Sequence, residues 1–203
     1  MSRTRSAVLF LSMLCLLTGC GGPELSTLPA DARILAFGDS LTRGTGAGDG
    51  QGYPAVLAEL TGLEVINAGV PGELSDEGRT RLPALLEAHR PHLVVLVHGG
   101  NDLLRRRPAV RTRENLAAML GQIRLRGAEA LVLGVPGPSL TLSAPDWYEE
   151  VAAEAGVPVN TDLLPGLIRD PTMKSDQVHL NAAGYRRLAE AIRDLLRDRG
   201  ALP

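Results

Sequence analysis

From Asp31 onward, short apolar runs alternate with segments whose apolar residues recur at helical spacing. Ile34–Phe37, Val65–Ile66, Leu93–Val97, Leu131–Leu133 and Val157–Val159 are the strand candidates. Leu93–Val97 is an unbroken run of leucine and valine, as expected of a strand covered on both faces. Between these runs the spacing predicts helices over Pro54–Thr61, Thr80–His89, Arg113–Arg126 and Trp147–Ala155. A last helix is expected from Asn181 to about Arg199, with Leu188, Ile192, Leu195 and Leu196 on one face. Asn181 is its candidate N-cap and Gly200 its stop. The alternation indicates βαβ units, hence an α/β domain over residues 31–203 with a parallel sheet and helices on both sides. Ligands of such sheets bind beyond the carboxyl ends of the strands, so a candidate residue has to follow a strand directly.

The N-terminal segment does not share this pattern. Arg3 and Arg5 precede the apolar run Ala7–Leu17, a charged n-region followed by an h-region of signal-peptide length. As a helix the run spans roughly 16 Å, well short of a bilayer core of about 30 Å. It ends in Leu17-Thr18-Gly19-Cys20, which resembles the lipobox of bacterial lipoproteins. That resemblance implies a signal peptide over residues 1–19 and acylation of Cys20, and so a membrane partner through a lipid anchor. By resemblance to the lipoproteins of diderm bacteria, Gly21 rather than an aspartate after the cysteine implies the periplasmic side of the outer membrane, if the organism has one. Residues 20–30, with Gly21, Gly22, Pro23 and Pro29, read as the lipidated cysteine and a tether. Cys15 would leave with the signal, so the exported domain would carry neither a disulfide nor a cysteine metal cluster.

Composition narrows the chemistry. The 203 residues are 44% hydrophobic and 22% charged, with a net charge of −2 and only 3% aromatics. A nucleic-acid partner is disfavoured, because no excess of cations and few stacking platforms are present. Lys174 is the one lysine and stands near no glycine cluster, so a Walker-type nucleotide loop is excluded. Gly44, Gly46, Gly48, Gly50 and Gly52 lack the G-x-G-x-x-G spacing of a dinucleotide loop and read as a flexible rim over a site. No His or carboxylate set has metal-ligand spacing, and no cofactor is expected.

Four segments fall where chemistry is expected. Gly38-Asp39-Ser40-Leu41-Thr42 follows the first strand, exposing a serine at a tight turn; by itself it reads equally as a turn or helix-cap serine. Gly99-Gly100-Asn101-Asp102 follows the third strand, where an asparagine amide could donate to a developing oxyanion or simply close an Asx turn. Gly72, in the loop after the second strand, could offer an unobstructed backbone N–H. Asp176-Gln177-Val178-His179 precedes the last helix at a spacing that lets the carboxylate hold the imidazole tautomer while the other ring nitrogen activates Ser40.

With these segments in this order the chain resembles the SGNH, or GDSL, hydrolase family, and within it the TesA-like esterase, thioesterase and lysophospholipase branch. The resemblance covers about residues 31–199, including Arg81–Leu86, His89 and Pro91. It implies a single three-layer α/β/α sandwich with a flavodoxin-like sheet of about five parallel strands. It also implies Ser40 as nucleophile, His179 as base and Asp176 as its orienting carboxylate. Gly72, Asn101 and the Ser40 amide would form the oxyanion hole. The substrate implied is a small acyl ester, thioester or lysophospholipid, and a monomer is favoured. A carbohydrate O-acetyl esterase, or an envelope lipoprotein that only binds acyl or glycan ligands, are the alternatives. The segment Pro136–Asp146 is shorter and richer in proline than in the multifunctional thioesterases, and His179 is followed by Leu180 where a proline is common.

Other residues compete for roles. His98 ends the third strand but has no carboxylate at a comparable spacing, and is expected in the core or pocket wall. His89 and His92 fall at the wrong edge of the sheet. Arg105, Arg106 and Arg107, near the site mouth, read as a solvated run, with binding of a phospholipid head group or coenzyme A phosphate as the alternative. Ser75, Ser139 and Ser143 are fallback nucleophiles without a strand-end motif.

Overall fold

The computed structural model describes residues 22–203, so the expected signal peptide and Cys20 lie outside the described residues. Strands β1 (Arg33–Gly38), β2 (Glu64–Gly69), β3 (Leu93–Val97), β4 (Glu129–Leu133) and β5 (Val159–Asn160) form one parallel sheet in the order β2-β1-β3-β4-β5. Gly38 at the end of β1 is level with Gly69 of β2 and Val97 of β3, so three carboxyl ends form one edge. β3 and most of β1 are fully buried, as the unbroken apolar run requires.

The helices are α1 (Ser40–Arg43), α2 (Tyr53–Thr61), α3 (Ser75–His89), α4 (Gly100–Leu104), α5 (Ala109–Leu125), α6 (Trp147–Ala155), α7 (Leu163–Arg169) and α8 (Ala182–Asp198). The pair α2 and α8 packs on one side of the sheet, while α3, α5 and α6 pack in succession on the other. The α/β/α sandwich follows, with Leu188, Ile192 and Leu196 of α8 wholly buried. The Asn181 side chain caps α8 by accepting the Gly184 amide at 3.0 Å.

Three helices were not expected from the pattern. α1 and α4 are too short to display a helical period, and α7 hides behind Pro165 and Gly166. α3 starts at Ser75 rather than Thr80, because Glu77 accepts the Leu74 amide at 2.8 Å and closes a polar first turn. β5 begins two residues later than expected.

The stretch read as a tether is docked over its described part. Leu25 is buried in the core, its amide donating to Arg199 O at 2.8 Å, and the Leu28 amide donates to Ala201 O at 2.9 Å. Glu129, which opens β4, accepts the Ser26 amide and hydroxyl. A buried leucine and paired backbone hold residues that Gly and Pro content alone marks as loose.

Candidate active site

Ser40 opens α1 directly after β1, and Asn101 lies in α4 directly after β3. Both stand where the strand order reverses, with β2 on one side of β1 and β3 on the other. Asp39 caps α1 by accepting the Leu41 amide at 3.1 Å, which fixes the turn that presents Ser40. The Gly-Asp-Ser segment therefore serves as a helix cap and as a site element at once.

Asp176 and His179 occupy the loop between the 3-10 turn Pro171–Met173 and α8. Asp176 Oδ1 accepts the amides of Val178 and His179, each at 2.8 Å. Its Oδ2 lies 2.7 Å from His179 Nδ1, and His179 Nε2 lies 3.0 Å from Ser40 Oγ. The carboxylate accepts a hydrogen bond from Nδ1–H, leaving Nε2 to accept from the serine hydroxyl. Burial pushes the Asp176 carboxyl up, but the hydrogen bonds from Val178 and His179 outweigh it and hold the group below the usual carboxylate range. The expected residues Ser40, Asp176 and His179 are thus brought into one chain of hydrogen bonds.

Gly72 adopts φ +78°, a left-handed conformation that a residue with a Cβ rarely takes. The amide nitrogen of Asn101 lies 3.1 Å from Asp39 Oδ2 and 3.1 Å from Glu73 O. Both neighbours are acceptors, so each N–H of that amide is engaged. Gly72 and Asn101 border the same cavity as Ser40 and His179.

Behind Gly72 lies a buried polar cluster. Arg81 grips Glu73 with two nitrogens at 2.7 Å, and its guanidinium sits 4.4 Å from the centre of the Phe37 ring. His98 is fully buried; its Nδ1 accepts the Gly99 amide at 2.9 Å, so Nε2 carries the proton and donates to Glu73 Oε2 at 3.1 Å. Burial opposes ionisation of Glu73, yet His98 and Arg81 together keep its carboxyl below the ordinary value. A Cβ on Gly78 would stand 2.4 Å from His98 Nε2, so α3 reaches this histidine only with glycine there. Sequence reading denied His98 a carboxylate; the fold supplies one from 25 residues upstream. A second arm joins Asp102 to Ser75, whose amide and hydroxyl donate to it at 2.9 and 2.7 Å. Ser75 is thereby occupied, and Ser139 and Ser143 both bond Thr141. No local spacing in the sequence marks Glu73 and Arg81 as partners.

The cavity at Ser40 is about 420 Å³. Beyond the serine its wall is apolar, formed by Leu104, Val135, Pro136, Pro138, Leu142 and Ile168. The proline-rich segment after β4 is therefore a wall of the pocket. Arg105 donates to Gly72 O at 3.2 Å, while Arg106 and Arg107 are exposed. His89 and His92 lie at the amino edge, where His92 Nδ1 accepts the Arg33 amide. The glycine-rich loop does not arch over this cavity: it is packed beside it, with Thr45 O accepting from Tyr185 Oη at 2.8 Å.

The GDSL-like Lipase/Acylhydrolase family model matches residues 36–187. The chain belongs to the GDSL-like lipase/acylhydrolase family. It is 35% identical over 191 residues to esterase TesA of Pseudomonas aeruginosa, covering 87% of this chain and 94% of that one. It is 30% identical to thioesterase 1/protease 1/lysophospholipase L1 of Escherichia coli K12, over 73% of this chain and 75% of that one. A crystal structure of TesA superposes with a TM-score of 0.74 at 32% identity, covering 81% of this chain and 98% of the other. Membership in the GDSL-like family decides between the function classes: the chain is an ester hydrolase. No described helix is long and apolar enough to cross a membrane.

Proposed function

We propose that the protein hydrolyses esters of apolar acids through a covalent acyl-enzyme on Ser40. His179 Nε2 takes the hydroxyl proton as Ser40 Oγ attacks the acyl carbon, and Asp176 holds the imidazolium that forms. The tetrahedral oxyanion accepts from the Gly72 and Ser40 amides and from Asn101 Nδ2. As the C–O bond to the alcohol breaks, His179 returns the proton to the leaving oxygen. Water then repeats the sequence on the acyl-enzyme, with His179 again as base, and releases the acid. The observation that carries this reading is the unbroken path Asp176 Oδ2–His179–Ser40 Oγ, with spacings of 2.7 and 3.0 Å. The apolar wall beyond Ser40 supports an acyl chain longer than acetyl, which favours esters and thioesters of longer acids over sugar acetates.

Cys20 is read as the lipid anchor of an exported enzyme that works as a monomer at the cell envelope. A fluorophosphonate probe tests the catalytic reading: it should label Ser40, and Ser40→Ala should lose both labelling and turnover of p-nitrophenyl esters. Labelling that survives the substitution removes Ser40 as nucleophile.

A further inference from the structure

A second cavity, of about 300 Å³, opens beside the catalytic one and shares Thr45 and Pro71 with it. The two differ in chemistry and in their place along the sheet edge. The apolar wall lies over β3, β4 and β5, from Leu104 through Val135 to Ile168. The second cavity lies over β2 and β1, walled by the glycine-rich loop 44–52 with Arg43, Asp49 and Asn67. Its non-polar side chains are only Ala47, Ala55 and Pro71. No carboxylate comes within ion-pair distance of Arg43 or cation within that distance of Asp49 among the described residues.

An ester attacked at Ser40 has two arms, and the leaving oxygen has to end within reach of His179 Nε2. The loop of the second cavity abuts the segment that carries His179. Gly46 is so close that a Cβ there would meet Ser175 Oγ at 2.1 Å and Leu180 O at 2.5 Å. Thr45, on the shared wall, is therefore the exit on the histidine side. With the acyl arm in the apolar cavity, the alkoxy arm crosses Thr45 and Pro71 into the polar one.

We infer that this second cavity is the leaving-group subsite and takes a neutral, hydroxyl-rich alcohol of the glycerol or sugar type. The inference rests on the ester-hydrolase mechanism proposed above and names the half of the substrate which that mechanism leaves open. Arg43 donates and Asp49 accepts, which suits hydroxyls that do both, whereas a purely anionic head group would face Asp49 and a purely cationic one Arg43.

The test uses the full-length chain and esters with one acyl group: monobutyrylglycerol, a glucose monobutyrate, and propyl butyrate, which matches the glycerol ester without its free hydroxyls. The expected kcat/KM is at least about tenfold higher for one or both hydroxylated esters than for propyl butyrate, the larger value naming glycerol or sugar as the source. Ala55→Leu, which fills the cavity from the exposed face of α2, and Arg43→Gln should each lower that ratio about tenfold toward unity. The ratio is taken within one preparation, so a partly unfolded variant does not mimic the effect. A wild-type ratio near one, or a ratio that both variants leave intact, overturns the subsite. Turnover of all three esters by Ser40→Ala would instead overturn the mechanism beneath it.

Discussion

Asn101 donates to the buried carboxylate of Asp39 across the seam between β1 and β3, at 3.1 Å. Its other N–H is held by Glu73 O at the same distance, so an oxyanion has to draw a donor away from one of them. In the proposed mechanism the bond to Asp39 is the one given up, because the Leu41 amide still bonds its other oxygen while Glu73 O belongs to the loop that carries Gly72.

The first prediction follows from that exchange. Asn101→Ala should lower kcat by roughly 10²–10³ with little change in KM, since the donor is released only as charge develops. Steady-state kinetics on a p-nitrophenyl ester read the split; a large KM change at constant kcat would make Asn101 a ground-state contact.

Asp176→Asn should cost on the order of 10⁴ in kcat while leaving the fold intact. Asparagine Oδ1 can still accept the Val178 and His179 amides, but its N–H would face His179 Nδ1 and push the ring proton onto Nε2. That tautomer cannot take the proton of Ser40. Circular dichroism with turnover separates this from unfolding.

Glu73→Gln should lower the melting temperature by several degrees at neutral pH, since breaking a mostly buried charge cluster costs on the order of 3 kcal/mol. The pH dependence has a definite sign. The Glu73 carboxyl is depressed in the fold below its usual 4.5, so its stabilisation is present above that value and is lost as pH falls through the lower folded one. The gap between wild type and variant should therefore narrow below pH 4.5. A gap that stays constant down to acid unfolding would argue for packing alone.

Mass spectrometry of the processed N-terminus should find a diacylglyceryl group on Cys20, with the protein in the membrane fraction. An unmodified residue at another cleavage site would remove the anchor.

The sheet and the four site segments were legible because each uses a local signal: apolar runs for strands, and polar residues placed straight after them. Leu93–Val97 and the Asp176–His179 spacing could hardly be read otherwise. What escaped depends on distant partners. Glu73, Arg81 and His98 meet only after β3 and α3 have packed, and Leu25 is an unremarkable leucine until the end of α8 lies beside it. Short helices such as α4 form because a strand end and a left-handed glycine start them, with no period to announce them.

The docked N-terminal segment also sets a distance. Ser26 and Leu25 bind at Glu129 and Arg199, beside the amino ends of the strands, whereas Ser40 lies beyond their carboxyl ends. A five-residue strand separates the two edges by about 16 Å. From Cys20 the chain can extend only about 17 Å before Leu25 pins it. That reach about matches the separation of the edges, so an acyl anchor at Cys20 would keep the whole domain within one strand length of the bilayer without fixing which edge faces it. An enzyme held that close would meet the esters of the surface it is anchored to as well as those of the aqueous compartment.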